Sequence, residues 1–346
     1  MANYTLANLV KAQIRLQGEF AANDTRYRDP KVWKLFLNDA NRFFPNYKQL
    51  KTAVNRVVET NYFARTAQTL LTSAPSHNHT GTGGDSGILQ LAWQSYKTTF
   101  SMTLKQANAS LLSWQEEYTN EIRQKVIDFA DGLDAIAGQY LFDNRSGASE
   151  GAVASKVAFN GTNDVYVIGG AFKNEAATLI KTVADINKYQ GVQIDVVCDS
   201  LLYTEVLKLA NQGAGNSENT SFQFMGTTWI HDPAMYARAV ALDATYVEGF
   251  AVAIPRGYIA AADWISTQNR QGIETSVNMY GTFSNPVDGL SYGVHTYETR
   301  ADGTSVNGQT QDVLTETEIS IWLSLNHAPS SVTDETPIMA FAIVTA

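Results

Sequence analysis

A single cysteine in 346 residues rules out an intramolecular disulfide framework and any zinc site built on several thiolates. Cys198 follows Val196 and Val197 in an apolar run, where a small buried hydrophobe is expected rather than a reactive thiol. Charge is also scarce. Asp, Glu, Lys and Arg make up 17% of the chain, against about 25% in an average soluble domain, so much of the polar surface is uncharged and suited to burial in contacts. Cations are scarcer than anions, 25 against 34, and the net charge of -9 with no basic run excludes a protein that grips nucleic acid over a broad face. No segment approaches the roughly 18 apolar residues of a membrane span. The start, Met1-Ala2-Asn3-Tyr4-Thr5, lacks the basic and apolar regions of a secretory signal. The expectation is a chain made in the cytoplasm, neither exported by that route nor inserted in a membrane, with an unprocessed N-terminus.

Catalytic signatures are missing as well. There is no Gly-x-Ser-x-Gly elbow and no helix-borne histidine close to Cys198 in sequence. Cys198 with His231 is the only candidate for a soluble α/β hydrolase, and His231-Asp232 runs into Pro233 as a turn would. Glu116, Glu117, Asp128, Asp131 and Asp134 are expected on the solvent side of a long helix. His77-Asn78-His79 offers two imidazoles but no third or fourth ligand nearby. Gly81 to Gly87 is glycine-rich without the Gly-Lys-Ser/Thr of a phosphate loop. No catalytic residue, cofactor or metal is therefore expected.

What is present is an order of elements, in a chain long enough for two lobes with extensions. Residues 1–28 carry a short amphipathic pattern, Leu6, Leu9, Val10 and Ile14, stopped by Gly18, and suggest an arm with little to bury. Asp29-Pro30 signals a helix running towards Pro45, with Trp33, Phe36, Leu37, Phe43 and Phe44 as its aromatic face, within a helical lead-in over 29–61. Over 62–104 a strand at Thr66–Thr72, an apolar-free stretch Ser76–Gly87 and a long strand from Ile88 form a hairpin. Leu89, Leu91 and Trp93 share one parity; Tyr96, Phe100, Met102 and Leu104 hold the other, so the pattern slips between Trp93 and Tyr96. Such a hairpin has too little local sequence for its own core and must lean on something else.

Ser113 to Glu116 is a capping box. Behind it Tyr118, Ile122, Val126, Phe129, Leu133, Ile136 and Tyr140 recur every three or four residues, a stripe along a helix of about 40 Å. The pattern then alternates: strand Val165–Ile168, helix Asn174–Asn187, strand Val192–Cys198, a helix capped by Asp199-Ser200, a polar loop Gly213–Ser221, and strands Gly226–Ile230 and Phe250–Ile254. This predicts an α/β lobe with a small mixed sheet over 161–275. From 276 to 346 the chain returns to β structure, with Ile319, Ile321, Leu323 and Leu325 facing opposite Ser320, Trp322, Ser324 and Asn326, and a last strand Ile338–Val344.

This succession resembles the major capsid proteins of tailed bacteriophages, whose shell fold is shared with encapsulins and the herpesvirus capsid floor. On that resemblance the fold class is α+β. Residues 1–28 look like the N-terminal arm, Tyr62–Leu104 like the extended E-loop, Ser113–Asp143 like the spine helix within a peripheral region over 105–160, and 161–275 like the axial domain. Gln193–Tyr203, Phe224–Pro233 and Gly249–Pro255 are similar to axial-domain strands and turns. Gly213, Asn216 and Asn219 fall in the loop aimed at the capsomer axis, and Glu318–Asn326 looks like a peripheral strand.

The resemblance implies self-assembly into hexamers and pentamers of an icosahedral head enclosing double-stranded DNA, with a separate scaffolding protein, a portal and decoration or minor capsid proteins as partners. It places inter-subunit contacts on the E-loop at His77, His79, Leu89, Leu91, Trp93, Tyr96 and Phe100. An encapsulin-type compartment is the nearest alternative. Nothing in the residues carries over the lysine-to-asparagine cross-links of some members.

Overall fold

Helix α1 (Leu6–Ala21) opens at Thr5, whose hydroxyl accepts from the Asn8 N–H, and runs through Gly18 without a break. The computed structural model describes residues 5–38, 40–63, 86–103, 113–145, 153, 155–187, 189, 191–212, 221–224, 226–300, 313–328 and 337–345. The helix passes the expected stop at Gly18, and its inward face differs from the expected one. α1 buries Leu9, Ala12, Leu16 and Phe20, while Val10 and Ile14 of the expected face are exposed. A Cβ at Gly281 would come within 2.9 Å of Leu6 and Leu9, so the bare backbone there lets the start of α1 lie directly on the sheet.

Three short helices follow: α2 (Lys31–Asn38), α3 (Ala40–Phe43) and α4 (Tyr47–Thr52). Asp29 does not cap α2; its carboxylate pairs with Lys31 and Lys34. Strand β1 (Glu59–Phe63), which the sequence pattern did not single out, pairs antiparallel with β2 (Ser86–Gln90) as an isolated two-stranded sheet. The expected strand at Thr66–Thr72 lies outside the described residues. The phase slip marks a change of sheet. The chain leaves β2 at Leu91–Trp93 and re-enters as β3 (Gln94–Thr103), which belongs to a different sheet.

Helix α5 (Trp114–Asp143) has 30 residues and the expected capping box: Ser113 accepts from the Glu116 N–H, and the Glu116 side chain accepts from the Ser113 N–H. The stripe is buried from Tyr118 through Leu133, with Ile136 and Tyr140 partly covered. α5 packs on a five-stranded antiparallel sheet and against α1 and α2, which themselves also contact that sheet. That sheet contains β3, β10 (Ile259–Trp264), β11 (Asn278–Ser284), β12 (Ser291–Arg300) and the 15-residue β13 (Val313–His327), which pairs with β3, β12 and β10. Phe100 meets Tyr118 at 5.8 Å and Phe129 meets Tyr292 at 4.9 Å between ring centres across this interface.

The second lobe is a seven-stranded mixed sheet in the order β4, β5, β14, β9, β6, β8, β7. Its strands are β4 (Val157–Asn160), β5 (Val165–Ile168), β6 (Ile194–Cys198), β7 (Ser221–Phe224), β8 (Thr227–His231), β9 (Gly249–Pro255) and β14 (Met339–Ile343). Helices α6 (Ala176–Ile186) and α7 (Ser200–Gln212) cover one face, packing on Val196, Cys198, Ala251, Ala253 and Phe341. Val197, Val252, Ala340 and Ala342 turn to the other face, into the core shared with α5. Helices α8 (Met235–Leu242) and α9 (Thr267–Gln271) and a 3-10 helix over Gly170–Glu175 complete the described elements. Two sequence boundaries change: β10, expected in the α/β lobe, pairs with β13, and β14, expected among the return strands, sits between β5 and β9.

Candidate assembly surfaces

The base of the hairpin leans on its own chain. Leu91 is buried among Ala40, Phe44, Leu50, Ala260 and Ala262, with Leu89 and Trp93 packed against them. Trp93 Nε1 donates to the Val57 carbonyl at 2.7 Å, and the Leu91 N–H donates to Val58 at 2.7 Å. Phe100 is buried against α5 within the main core. Leu91 and Phe100, expected at contacts between subunits, are buried within this chain: among the described residues β3 is an edge strand of the five-stranded sheet, paired only with β13, and its inward parity serves this chain's core. On the opposite face of β2, Ile88 stays 64% exposed, so the paired strands are not fully covered in the isolated molecule. His77 and His79 lie outside the described residues, as do Gly213, Asn216 and Asn219.

This distinction makes a prediction. Phe100→Ala should cost about 3–5 kcal/mol, since a fully packed aromatic is removed, and Phe100→Asp should leave no folded subunit. Ile88→Asp should change stability by less than about 0.5 kcal/mol. Urea unfolding of the two series separates core from surface; equal losses would overturn this partition.

Tyr96, like Leu89 and Trp93 of the expected contact set, is partly exposed. It lines a groove between α5 and the five-stranded sheet, with Ala92, Gln94, Ile136, Tyr140 and Leu325 around a volume of ≈ 270 Å³. A second hollow of ≈ 270 Å³ continues it past Tyr96 and Ile136 to Lys97, Phe129 and Asp128. The floor is apolar; Asp128 and Asp143 stand in the lining of the two hollows.

Asp134 departs from the solvated acidic row. It is 2% exposed, and its Oδ1 accepts from the N–H groups of Val32 and Trp33 at 2.9 and 3.1 Å, closing the start of α2 from across the core. Arg28 reaches its other oxygen at 2.7 Å and Asp232 at 3.6 Å; Arg238 holds Asp232 at 2.7 Å. Burial pushes the Asp134 carboxyl above its ordinary value, against the backbone N–H groups and Arg28. Gly138 makes room for this group, since a Cβ there would lie 2.7 Å from Asp232 and 2.8 Å from Arg238. Sequence reading missed the quartet because Arg28, Asp134 and the Asp232–Arg238 pair are about a hundred residues from one another.

The hydrolase candidate does not assemble. Cys198 is fully buried, its Sγ meets the Ile230 carbonyl at 3.6 Å, and burial drives its thiol well above the usual range. His231 Nε2 lies 2.8 Å from Ser200 Oγ instead, while the adjacent Asp232 turns to Arg238 and the Ala234 N–H. No carboxylate among the described residues is hydrogen-bonded to this imidazole. Among the described residues no group of three or more His, Cys, Asp and Glu could hold a metal ion, and no helix is long and apolar enough to cross a membrane.

Tyr140 Oη and His327 Nδ1 are 2.9 Å apart, joining α5 to the end of β13. Burial lowers the His327 pKa from 6.5, and desolvation lowers those of His231 and His295 as well. The unfolded chain then binds more protons than the folded one just below that value, so stability is present above about pH 6.5 and is lost as pH falls. Replacing His327 with Gln should flatten the decline in unfolding midpoint between about pH 7 and 5. An unchanged slope would assign the decline elsewhere.

No family model matches the sequence. No curated protein matches it either. Solved structures do. A chain of the cyanophage Pam1 capsid asymmetric unit is similar over 92% of this chain and 93% of its own, with a TM-score of 0.52 and 9% identity. A chain of the cyanophage A-1(L) capsid asymmetric unit is similar over 94% and 95%, with a TM-score of 0.47 and 13% identity. One from the capsid of Ralstonia phage GP4 is similar over 86% of each chain, with a TM-score of 0.45 and 8% identity.

Proposed function

We propose that this chain, whose fold is that of a phage capsid protein, is the major shell subunit of a tailed phage head. In this reading it forms hexamers and pentamers around double-stranded DNA, assembles with a separate scaffolding protein and a portal, and performs no catalytic step. The observation that carries it is the likeness to the Pam1 capsid chain along nearly the whole length of both chains. A hairpin base with one face on its own core and Ile88 in solvent supports it, because a two-stranded sheet is marginal alone and gains stability from a further surface. Closure then makes each added contact nearly intramolecular, so modest interfaces suffice.

Negative-stain microscopy and sedimentation of the purified protein test the reading. Closed particles are expected, and packaged double-stranded DNA in native particles rather than enzyme cargo separates a phage head from an encapsulin-type compartment. Removing residues 77–85, which stops short of β2, should leave a folded subunit with a nearly unchanged circular dichroism spectrum that no longer closes shells. Normal particles from that deletion would remove the hairpin from the mechanism, and a monomer under all conditions would defeat the shell itself.

A further inference from the structure

Residues 42–56 contain Arg42, Lys48, Lys51 and Arg56 and no acidic side chain, so the remaining residues together stand at -13, four below the chain's -9. This cluster is not a contiguous basic run, which is why charge counting along the sequence passes over it. Lys51 spends its charge inward, on the buried Asp263 at 3.1 Å. Arg56 does not. Its guanidinium carbon sits 3.6 Å over the Trp322 ring, and among the described residues its nitrogens meet no carboxylate. A guanidinium laid on an indole keeps its N–H edges outward, in the planar arrangement that suits a carboxylate.

The backbone beneath is held firmly. The Ala53 carbonyl accepts from Trp264 Nε1 at 3.0 Å and from Arg270 Nη2 at 2.6 Å; those of Val54 and Val57 accept from Thr267 and Trp93. Yet the side chains of Val54 and Val58, on either side of Arg56, are 71% and 61% exposed. An immobilised segment presenting two aliphatics and an aromatic-backed arginine loses little freedom on docking. Its make-up is that of a protein interface; a phosphate-binding surface would be more uniformly polar and charged.

The complementary surface is on the same chain. The groove beside α5 has an apolar floor at Tyr96, Phe129 and Ile136; on its rim Lys97 pairs with Glu318 at 3.3 Å and Asp128 with Lys125 at 3.2 Å, while Asp131, exposed on the next turn, meets no cation among the described residues and leaves the rim with a net negative charge. Among the described residues no ion pair joins the two surfaces within one molecule. Two different, matching patches on one chain give a head-to-tail contact, the type that closes rings.

We propose that the Val54–Val58 surface of one copy seats in the α5–β3 groove of the next, with Arg56 directed to Asp128 and Asp131. The proposal rests on the shell reading above and names which surfaces of the subunit meet. The test is assembly of the full chain, followed by light scattering and sedimentation at low and high salt. R56E, and separately the pair D128R and D131R, should each lower the assembled fraction about tenfold or more, while the subunit stays folded with a thermal midpoint lowered by only a few degrees, the loss expected of the Arg56–Trp322 and Lys125–Asp128 contacts. Combining all three should restore assembly to within about threefold of the natural chain.

Undiminished assembly of R56E overturns the proposal, as does failure of the triple variant to recover. Particles that form normally from R56E but retain less DNA would overturn it too, assigning the cluster to nucleic acid. If the natural chain forms no particles, the shell reading falls and this contact with it; if particles form in every variant, only the contact falls.

Discussion

Asp134→Ala should lower the free energy of unfolding by about 3 kcal/mol, with Asp134→Asn losing less than half of that. The alanine strands the N–H groups of Val32 and Trp33 inside the protein and leaves Arg28 with only its longer contact to Asp232. Each buried, unmade hydrogen bond costs about 1–3 kcal/mol. Opposing this, burial of the carboxylate is itself unfavourable, as the raised pKa of Asp134 records, so removing it returns part of the loss. Asparagine keeps an oxygen for the two N–H groups and gives up only the charge. Urea unfolding at neutral pH reads the difference; an alanine variant within about 0.5 kcal/mol of the natural chain would mean that water replaces the carboxylate and that the quartet is dispensable.

The parts of this fold that were legible in the sequence are those whose signals are local. Ser113 and Glu116 announce the start of α5 because the cap and its reciprocal bond lie within four residues, and the stripe behind them requires only helical spacing. β5, β6 and β9 were legible for a similar reason, as short apolar runs between breakers. The slip between Trp93 and Tyr96 was visible as a phase, but its cause was not. Parity can report that a strand changes face, and only the pairing of β3 with β13 reveals a change of sheet.

What stayed hidden depends on partners far along the chain. α1 offers two apolar stripes, and it buries Leu9, Ala12, Leu16 and Phe20 rather than Val10 and Ile14, with the bare backbone of Gly281 admitting Leu6 and Leu9 at its start. The candidate contact surface divides in the same way. Leu91 and Phe100 read as spare hydrophobes only while Ala260, Ala262 and Tyr118 are unknown to be beside them. The exposed aliphatics that remain, Val54, Val58 and Ile88, show no periodicity that would have drawn attention.

Removal of the last strand should have the largest effect of any change considered. A chain ending before Ile338 would leave β5 and β9 as two facing, unpaired edges inside the seven-stranded sheet, because β14 pairs parallel with one and antiparallel with the other. All five residues of β14 are buried, and they serve both faces: Met339, Phe341 and Ile343 meet α6 and α7, while Ala340 and Ala342 meet the core shared with α5. Such a truncation is expected to yield no soluble subunit. The graded form of the experiment is Phe341→Ala, which removes the ring stacked on Tyr166 at 5.2 Å and should cost about 3–5 kcal/mol. The strand pairs last in sequence but centrally in space, so its contacts with β5 and β9 form only once most of the chain is present. Refolding of Phe341→Ala should therefore proceed at nearly the natural rate while unfolding accelerates, the signature of a contact made after the transition state. A slowed refolding rate with unchanged unfolding would place β14 in the nucleus and reverse that order.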